Sequence, residues 1–177
     1  MNKKLKLWEL NRKTEAEFRE QKKFPLVVVL DDIRSLNNIG SFFRTGDAFN
    51  IEKMFLCGIT AVPPHRDIHK TALGATDTVD WEYKKQTIDC VLDLKKQGYE
   101  VCVIEQTSET TLLQEVAQLA IKPVVLVFGN EVNGVAQEVI DVSDRIIEVP
   151  QFGTKHSLNV SVCAGVVMWE FCKKHIQ

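Results

Sequence analysis

The sequence predicts an α/β fold in which a mostly parallel sheet carries helices on both faces. Strand-like apolar runs alternate with segments of helical periodicity along the chain, which is the pattern of βαβ units. Residues 26–30 form an unbroken apolar run, as expected for a strand that is covered on both faces. The length of 177 residues and the hydrophobic fraction of 45% are sufficient for one domain with a sizeable core.

Local signals delimit the predicted elements. Pro25 ends the first helix, and Gly98 stops the helix before the fourth strand. Pro150 cannot donate to a β ladder and therefore ends the last strand, while Ser157 can cap the helix that follows. The predicted helices cover residues 8–21, 40–49, 66–73, 87–97, 111–120 and 135–142, with a long last helix that begins at Ser157. The predicted strands cover residues 26–30, 54–57, 79–83, 100–104, 124–128 and 146–149.

The net charge of −2 hides an uneven distribution. Residues 1–23 hold eight Lys and Arg against four Glu, so the rest of the chain carries a net charge of −6. We therefore expect a basic, helical N-terminal extension at residues 1–25 and one domain at residues 26–177. A basic extension on an acidic body can bind a polyanion. On charge alone, the favoured interpretation is a solvent-exposed helix without such a role.

Membrane, disulfide and metal signals are weak in this sequence. No apolar run approaches the length of a membrane span, and no apolar region of a signal peptide follows the basic N-terminus. The five cysteines are odd in number and contain no CxxC pair, which favours a cytoplasmic setting over a disulfide framework or a zinc site. His65 and His69 could share a metal on one helix face, but the Glu of HExxH is missing. We expect no metal and no membrane partner.

The first of three polar stretches follows the first strand and runs from Asn37 to Asp47, with Asn38 near its start. Arg44 lies in an otherwise small and apolar helix face, where a guanidinium is unfavourable unless an anion or a carboxylate meets it. A functional anion is one interpretation. A salt bridge to Asp47 at the i,i+3 spacing is the other, and the spacing does not decide between them.

The second stretch covers residues 129–134 and follows a buried strand. Gly129 and Gly134 allow a ligand to approach the backbone, and Glu131 lies between them. The stretch is not a P-loop, because it lacks the Lys and the Ser or Thr of that motif, and the chain has no GxGxxG for a dinucleotide. The alternative is a tight turn with a carboxylate at a helix start.

The third stretch joins the last strand to the long last helix and contains Pro150, Gly153, Ser157 and Asn159. Polar groups at a helix N-terminus after a strand form a ligand site in many open α/β sheets. The alternative is that Ser157 is only an N-cap and Asn159 only a polar residue of the first turn. His156 beside Ser157 does not make a hydrolase triad, because neither the chain order nor a nucleophile elbow fits.

Together the three stretches closely resemble the signature motifs of the SPOUT superfamily, in particular the SpoU/TrmH-type RNA 2′-O-ribose methyltransferases. The matching segments are Asn38-Ile-Gly-Ser-Phe-Phe-Arg44-Thr, Gly129-Asn-Glu-Val-Asn-Gly134, Pro150-Gln-Phe-Gly153 and Ser157-Leu-Asn159-Val-Ser161. The resemblance covers about residues 26–174, in order and with compatible gaps. Each motif alone is weakly specific, whereas the ordered set is strongly specific.

The resemblance implies a C-terminal trefoil knot whose loops bind S-adenosylmethionine. It implies a cofactor site formed by Gly129, Val149 and Leu158, with Glu105 as a further candidate. It implies a catalytic neighbourhood formed by Arg44, Asn38, Glu131, Ser157 and Asn159, in which Arg44 handles the proton.

The resemblance also implies a homodimer whose RNA site is built from both subunits, and a last helix with Ser161, Gly165 and Trp169 suits such an interface. The implied activity is methyl transfer to a ribose 2′-hydroxyl of structured RNA. Transfer RNA is favoured over ribosomal RNA, because the sequence shows no separate domain for a large ribosomal target. Base methylation and a non-catalytic RNA-binding or assembly role are the alternatives. Given this resemblance, contact with RNA and a merely solvent-exposed helix are equally good interpretations of the basic extension.

Overall fold

A computed structural model describes residues 2–118 and 122–173 of the chain. Within these ranges, seven strands form one sheet in the order β3-β2-β1-β6-β4-β7-β5, and every neighbouring pair is parallel. The strands are β1 (Phe24–Asp31), β2 (Ile51–Cys57), β3 (Trp81–Lys84), β4 (Glu100–Ile104), β5 (Thr111–Leu112), β6 (Val124–Phe128) and β7 (Arg145–Glu148). The α-helices are α1 (Glu15–Glu20), α2 (Leu36–Ala48), α3 (Arg66–Ala72), α4 (Thr87–Lys96), α5 (Gln137–Val142) and α6 (Val160–Cys172).

Two hydrophobic cores lie on opposite faces of the sheet, because successive side chains of a strand point to opposite sides. Val28 and Leu30 of β1 belong to one core, which is closed by side chains of α2, α3 and α6. Val27 and Val29 belong to the other core, which α4 and α5 close. The predicted α/β fold, with a parallel sheet covered on both faces, is confirmed.

Helices α2 and α3 pack closely on the first face, and the contact depends on Gly40. A Cβ atom at this position would lie 2.0 Å from the Thr71 hydroxyl and 2.3 Å from the carbonyl oxygen of Ile68. Only a residue without a side chain allows the two backbones to approach this far. Thr71 also donates to the Asn37 carbonyl (3.1 Å), which fixes α3 across the N-terminal half of α2.

Two helix starts differ from the prediction because other side chains cap them. Helix α2 begins at Leu36, four residues before the predicted start, since the Ser35 hydroxyl accepts from the Asn38 N–H (3.3 Å). Helix α6 begins at Val160, and its N-cap is Asn159, whose side-chain oxygen accepts from the Ser161 N–H (2.9 Å). The prediction that Ser157 caps this helix was therefore wrong.

Two predicted helices are broken up in the structure. In the predicted helix 8–21, only a 3₁₀ turn at Leu7–Glu9 and α1 form, because Asn11 has a φ of +46° and interrupts the helical path. In the predicted helix 111–120, Thr111–Leu112 pairs with β7 as the edge strand β5, and Leu113–Gln118 is a 3₁₀ helix. Residues 119 and 120 lie outside the described part of the chain.

Neither a membrane span nor a metal cluster is found in the described ranges. No helix there is long and apolar enough to cross a membrane. No group of three or more His, Cys, Asp or Glu side chains in residues 2–118 and 122–173 could hold a metal ion. The C-terminal knot stays a prediction at this point.

Candidate active site

A cavity of about 430 Å³ opens at the carboxyl ends of the neighbouring strands β6, β4 and β7. This edge of a parallel α/β sheet is where ligands bind in folds of this class. Residues directly after these strands, together with the segment before α6, form the wall. All four predicted cofactor residues are part of it: Glu105, Gly129, Val149 and Leu158.

Glu105 supports the loop that follows β6. Its carboxylate accepts from the Val135 N–H (3.1 Å) and from the Gln106 N–H (2.9 Å). A Cβ atom at Gly134 would lie 2.2 Å from the same carboxylate. Glu105 thus holds the 129–135 loop against the end of β4 and shapes the cavity wall.

Asn130 also lines the cavity, although it was not among the predicted site residues. It is buried, and its amide donates to the Asp32 carbonyl (2.7 Å) at the end of β1. Its side-chain oxygen accepts from the N–H groups of Val132 (2.9 Å) and Asn133 (3.0 Å). Asn commonly forms such an Asx turn. Its position just after a predicted strand was the feature of the sequence that could have indicated this role.

Glu131 links the loop after β6 to the start of α2. One carboxylate oxygen accepts from the Arg34 N–H (2.9 Å), and the other accepts from the Ser35 N–H (3.0 Å) and the Asn38 amide (3.0 Å). These donors lie at or just before a helix N-terminus, where a negative charge is stabilised. Glu131 therefore fixes the position of α2 relative to the cavity.

The same hydrogen bonds decide the protonation of Glu131. Partial burial works to raise the pKa of this carboxyl, but the N–H groups of Arg34, Glu131 and Ser35 and the Asn38 amide hold it below its usual range. Both oxygens already accept hydrogen bonds. The group is thus an ionised positioning residue and a poor proton acceptor for a substrate hydroxyl.

Asn38 joins all three polar stretches. While its amide donates to Glu131, its side-chain oxygen accepts from the Asn159 amide (3.1 Å) and from the Ser161 hydroxyl (3.3 Å). Asn38 is buried, whereas Glu131 and Asn159 are exposed, so these bonds are partly shielded from water. We call Asn38, Glu131, Asn159 and Ser161 the junction. It ties the N-termini of α2 and α6 to the loop after β6.

Ser157 and His156 lie at the mouth of the cavity. Both side chains are exposed, and both residues line the opening. The Gln106 amide donates to the His156 carbonyl (3.3 Å) and so ties this segment to the end of β4. Ser157 is therefore placed where a bound ligand or substrate would contact it.

Asn38 does not line the cavity itself but hydrogen-bonds to the wall residues Glu131 and Asn159. Arg44 is the predicted site residue for which the structure shows no such link within the described ranges. It is exposed on the outer face of α2, and it is not part of the cavity wall. The alternative salt bridge to Asp47 does not form, because the Asp47 carboxylate instead accepts from the Thr78 hydroxyl (2.6 Å). Among the residues that the structure describes, no ion pair includes Arg44.

Comparison with known proteins identifies the family. The model of the SpoU rRNA Methylase family matches residues 25–169, which is most of the chain. The chain belongs to this family. Both the predicted SPOUT relationship and the predicted class of enzyme, a methyltransferase that acts on RNA, are confirmed.

Relatives of this chain are named for two kinds of RNA. The chain is 29% identical over 155 residues to a tRNA (guanosine(18)-2′-O)-methyltransferase of Aquifex aeolicus, covering 87% of this chain and 72% of that protein. It is 30% identical over 152 residues to the 23S rRNA (guanosine-2′-O-)-methyltransferase RlmB of Nitrosomonas europaea, covering 86% of this chain. The chain spans 57% of the length of that second relative.

Solved structures show the same fold. The TrmH/SpoU tRNA modifying enzyme of A. aeolicus superposes with a TM-score of 0.81 and 26% identity, covering 92% of this chain and 81% of that one. An AdoMet-bound rRNA methyltransferase of Sinorhizobium meliloti superposes with a TM-score of 0.79 and 24% identity, covering 90% and 60%. AdoMet is S-adenosylmethionine, so the structure of that neighbour contains the cofactor predicted for this chain.

Proposed function

We propose that this protein transfers a methyl group from S-adenosylmethionine to a ribose 2′-hydroxyl of RNA. The observation that carries the proposal is the junction at the mouth of the cavity, because it joins residues of all three polar stretches beside a site of suitable size for a small ligand. Family membership and the names of the relatives support the same reaction.

The cavity wall fits this cofactor better than a dinucleotide. Glu105 and Glu131 are carboxylates, and among the described residues that line the cavity none is Lys or Arg. A negative wall favours a cationic ligand such as a sulfonium and disfavours a pyrophosphate. Gly129, Val149 and Leu158 would hold the cofactor, largely through backbone groups, in the loops that the family resemblance assigns to a trefoil knot.

Calorimetry tests the cofactor assignment. We expect the protein to bind S-adenosylmethionine and its demethylated product, and to show no heat with NAD, because the pyrophosphate would meet two carboxylates without a cationic partner. Binding of NAD together with failure to bind either methyl-donor compound would contradict the proposal. Nucleoside mass spectrometry of RNA from cells with and without the protein then identifies the methylated nucleotide.

The reaction needs a group that handles the proton of the attacking hydroxyl. Bound S-adenosylmethionine supplies an electrophilic methyl group on sulfur. A ribose hydroxyl that accepted this methyl group, with the sulfur as leaving group, would have to lose its proton. The ionised and fully hydrogen-bonded Glu131 is unsuited to accept it, so we assign this role to Arg44, as the family resemblance implies.

A covalent route to a methylated base is less consistent with the site. Such a route needs a thiolate nucleophile, and Cys163 is the cysteine in the cavity wall. Burial, with a smaller contribution from Glu105, raises the pKa of this thiol to about 11. A protonated thiol is a poor nucleophile, and ribose methylation does not require one.

Transfer RNA is the substrate class that we favour, since the relative covered over 72% of its length is named for tRNA. Relatives named for 23S rRNA make ribosomal RNA the alternative. Methylation assays on the two bulk RNAs separate these outcomes.

A homodimer through α6 would complete the site. An apolar stripe on α6 and the segment before it stays exposed in the single chain: Leu158 (38%), Val162 (55%), Val166 (43%) and Trp169 (51%). Val162, Val166 and Trp169 recur at helical spacing on one face of α6, and Leu158 lies in the segment before it. Leu158 also lines the cavity, so a partner docked on this stripe would reach the cavity mouth and could supply its own Arg44.

Gly165→Arg should convert the dimer to a monomer. A Cβ atom at Gly165 meets nothing within 4 Å, so within one chain the substitution is tolerated and Arg even favours the helix. Against a partner, a long cation would be buried without a counter-charge. Light scattering should show half the mass of the wild type, while Leu92→Arg on α4 leaves the dimer intact. A monomeric wild type would contradict the proposed interface.

A further inference from the structure

Residues 2–14, here called the arm, hydrogen-bond only locally. Within the described ranges, the hydrogen-bond partners of its side chains lie between Lys3 and Gln21, as in the contacts of Lys3 with Glu9 (3.0 Å) and of Thr14 with Glu17 (2.8 Å). The body is first reached after the arm, where Arg19 donates to the Asp77 carbonyl (2.6 Å). The arm is therefore an appendage and not part of either core.

Charge separates the arm from the body. The arm contains five cationic side chains against the single carboxylate of Glu9, so the remaining residues carry a net charge of −6. The cations are Lys3, Lys4, Lys6, Arg12 and Lys13. A polyanion is attracted to the arm and repelled by the net charge of the body. The arm therefore supplies electrostatic attraction to an RNA that reaches the cavity.

The arm also presents an aromatic surface. Trp8 is 76% exposed, and the Lys6 ammonium lies 5.0 Å from the centre of its ring. An indole surface next to a cation is the combination with which proteins bind single-stranded nucleic acid, because bases stack on the ring while phosphates meet the charge.

We propose that Trp8 stacks on an unpaired base of the RNA substrate while the neighbouring lysines contact its phosphates. This inference rests on the proposed function and narrows the substrate class. Bases inside a duplex are already stacked, so a side chain can stack only on a loop, a bulge or a strand end. The RNA must therefore present unpaired nucleotides to the arm in addition to the ribose that is methylated.

The position of the arm predicts which kinetic constant it affects. The arm precedes the amino end of β1, whereas the cavity lies at the carboxyl edge of the sheet. The eight residues of β1 separate the two edges by about 26 Å. Trp8 is not part of the cavity wall, so we expect its loss to change RNA affinity and KM and to leave turnover at saturating RNA unchanged.

The test compares three variants on two RNA probes, a single-stranded oligonucleotide and a blunt duplex, over a series of salt concentrations. Trp8→Ala should weaken binding of the single strand by about fivefold or more with an unchanged salt slope, because stacking releases no counterion. Trp8→Phe should restore most of the affinity. Replacing Lys3, Lys4 and Lys6 with Gln should lower the slope by roughly 0.7 for each lost phosphate contact.

The outcomes separate stacking from its rivals. Equal effects of Trp8→Ala on single strand and duplex, or no effect on either, would overturn the inference, as would a change of oligomeric state, which would mean that the arm docks on a second copy. The proposed function fails independently. Loss of methyl-donor binding with Trp8-dependent RNA binding intact would overturn the function alone, and normal methylation with no role for Trp8 in RNA binding would overturn this inference alone.

Discussion

Arg44→Ala is expected to lower RNA methylation at least about a hundredfold, the lower range for loss of a proton-transfer or oxyanion partner. The fold, the dimer and cofactor binding should survive, because the side chain is exposed and makes no ion pair in the described ranges. Thermal unfolding, light scattering and calorimetry check these three properties beside the methylation rate.

The chemistry of the guanidinium limits what a conservative variant can restore. A free guanidinium stays protonated at physiological pH, so Arg44 acts either as a base assisted by a nearby phosphate or as a cation that stabilises the developing alkoxide. Both roles use a planar, forked group. Arg44→Lys should therefore rescue little activity, because an ammonium is a point charge.

Arg66→Ala is the matched control for this experiment. Arg66 is another exposed arginine, at the start of α3, and its loss should change RNA affinity at most and leave turnover at saturating RNA intact. Near-normal turnover in Arg44→Ala would remove the central residue from the proposed mechanism.

The central strands β1 and β6 could be predicted from the sequence because they are apolar on both sides, whereas the two-residue edge strand β5 was predicted as part of a helix. The predicted limits of β4 and β6 agree with the observed ones. A parallel strand that is covered on both faces is a nearly continuous apolar run, and its ends are therefore easy to recognise. Helix starts were less predictable. Several polar residues competed for each N-cap, and at α6 the structure uses Asn159 where Ser157 was expected.

The site could be predicted residue by residue but not as an arrangement. Asn38 and Glu131 are 93 positions apart, and Asn38 and Asn159 are 121 positions apart, so no local pattern reveals that they share hydrogen bonds. The family resemblance indicated which residues belong to the site, and only the structure shows that they form the junction. For Arg44, the sequence spacing allowed a salt bridge to Asp47, but in the structure the Asp47 carboxylate accepts from Thr78 instead.

Gly129→Ala should weaken S-adenosylmethionine binding by about tenfold or more, in line with the cost of overpacking a closely packed site. The added Cβ would lie 2.2 Å from the Gly134 carbonyl carbon and 2.2 Å from the Val135 nitrogen. Both are backbone atoms and cannot rotate away. The loop must shift, and with it the Val135 N–H that is bound to Glu105, so the wall of the cavity changes shape.

Gly153→Ala provides the control, because a Cβ there meets nothing within 4 Å although Gly153 lies in the segment that leads to the cavity mouth. Calorimetry should give wild-type affinity for this variant. If Gly129→Ala also bound the methyl donor normally, the loop after β6 would not form the cofactor site.

Mixing the Gly129→Ala and Arg44→Ala chains then tests whether both subunits build one site. If each site takes its cofactor loop from one chain and its arginine from the other, a mixed dimer contains one site with both parts intact, and activity rises well above that of either variant alone. If both parts come from the same chain, every site in the mixture lacks one of them. Activity would then stay at the level of the two variants, because no exchange of subunits can reunite Gly129 with Arg44.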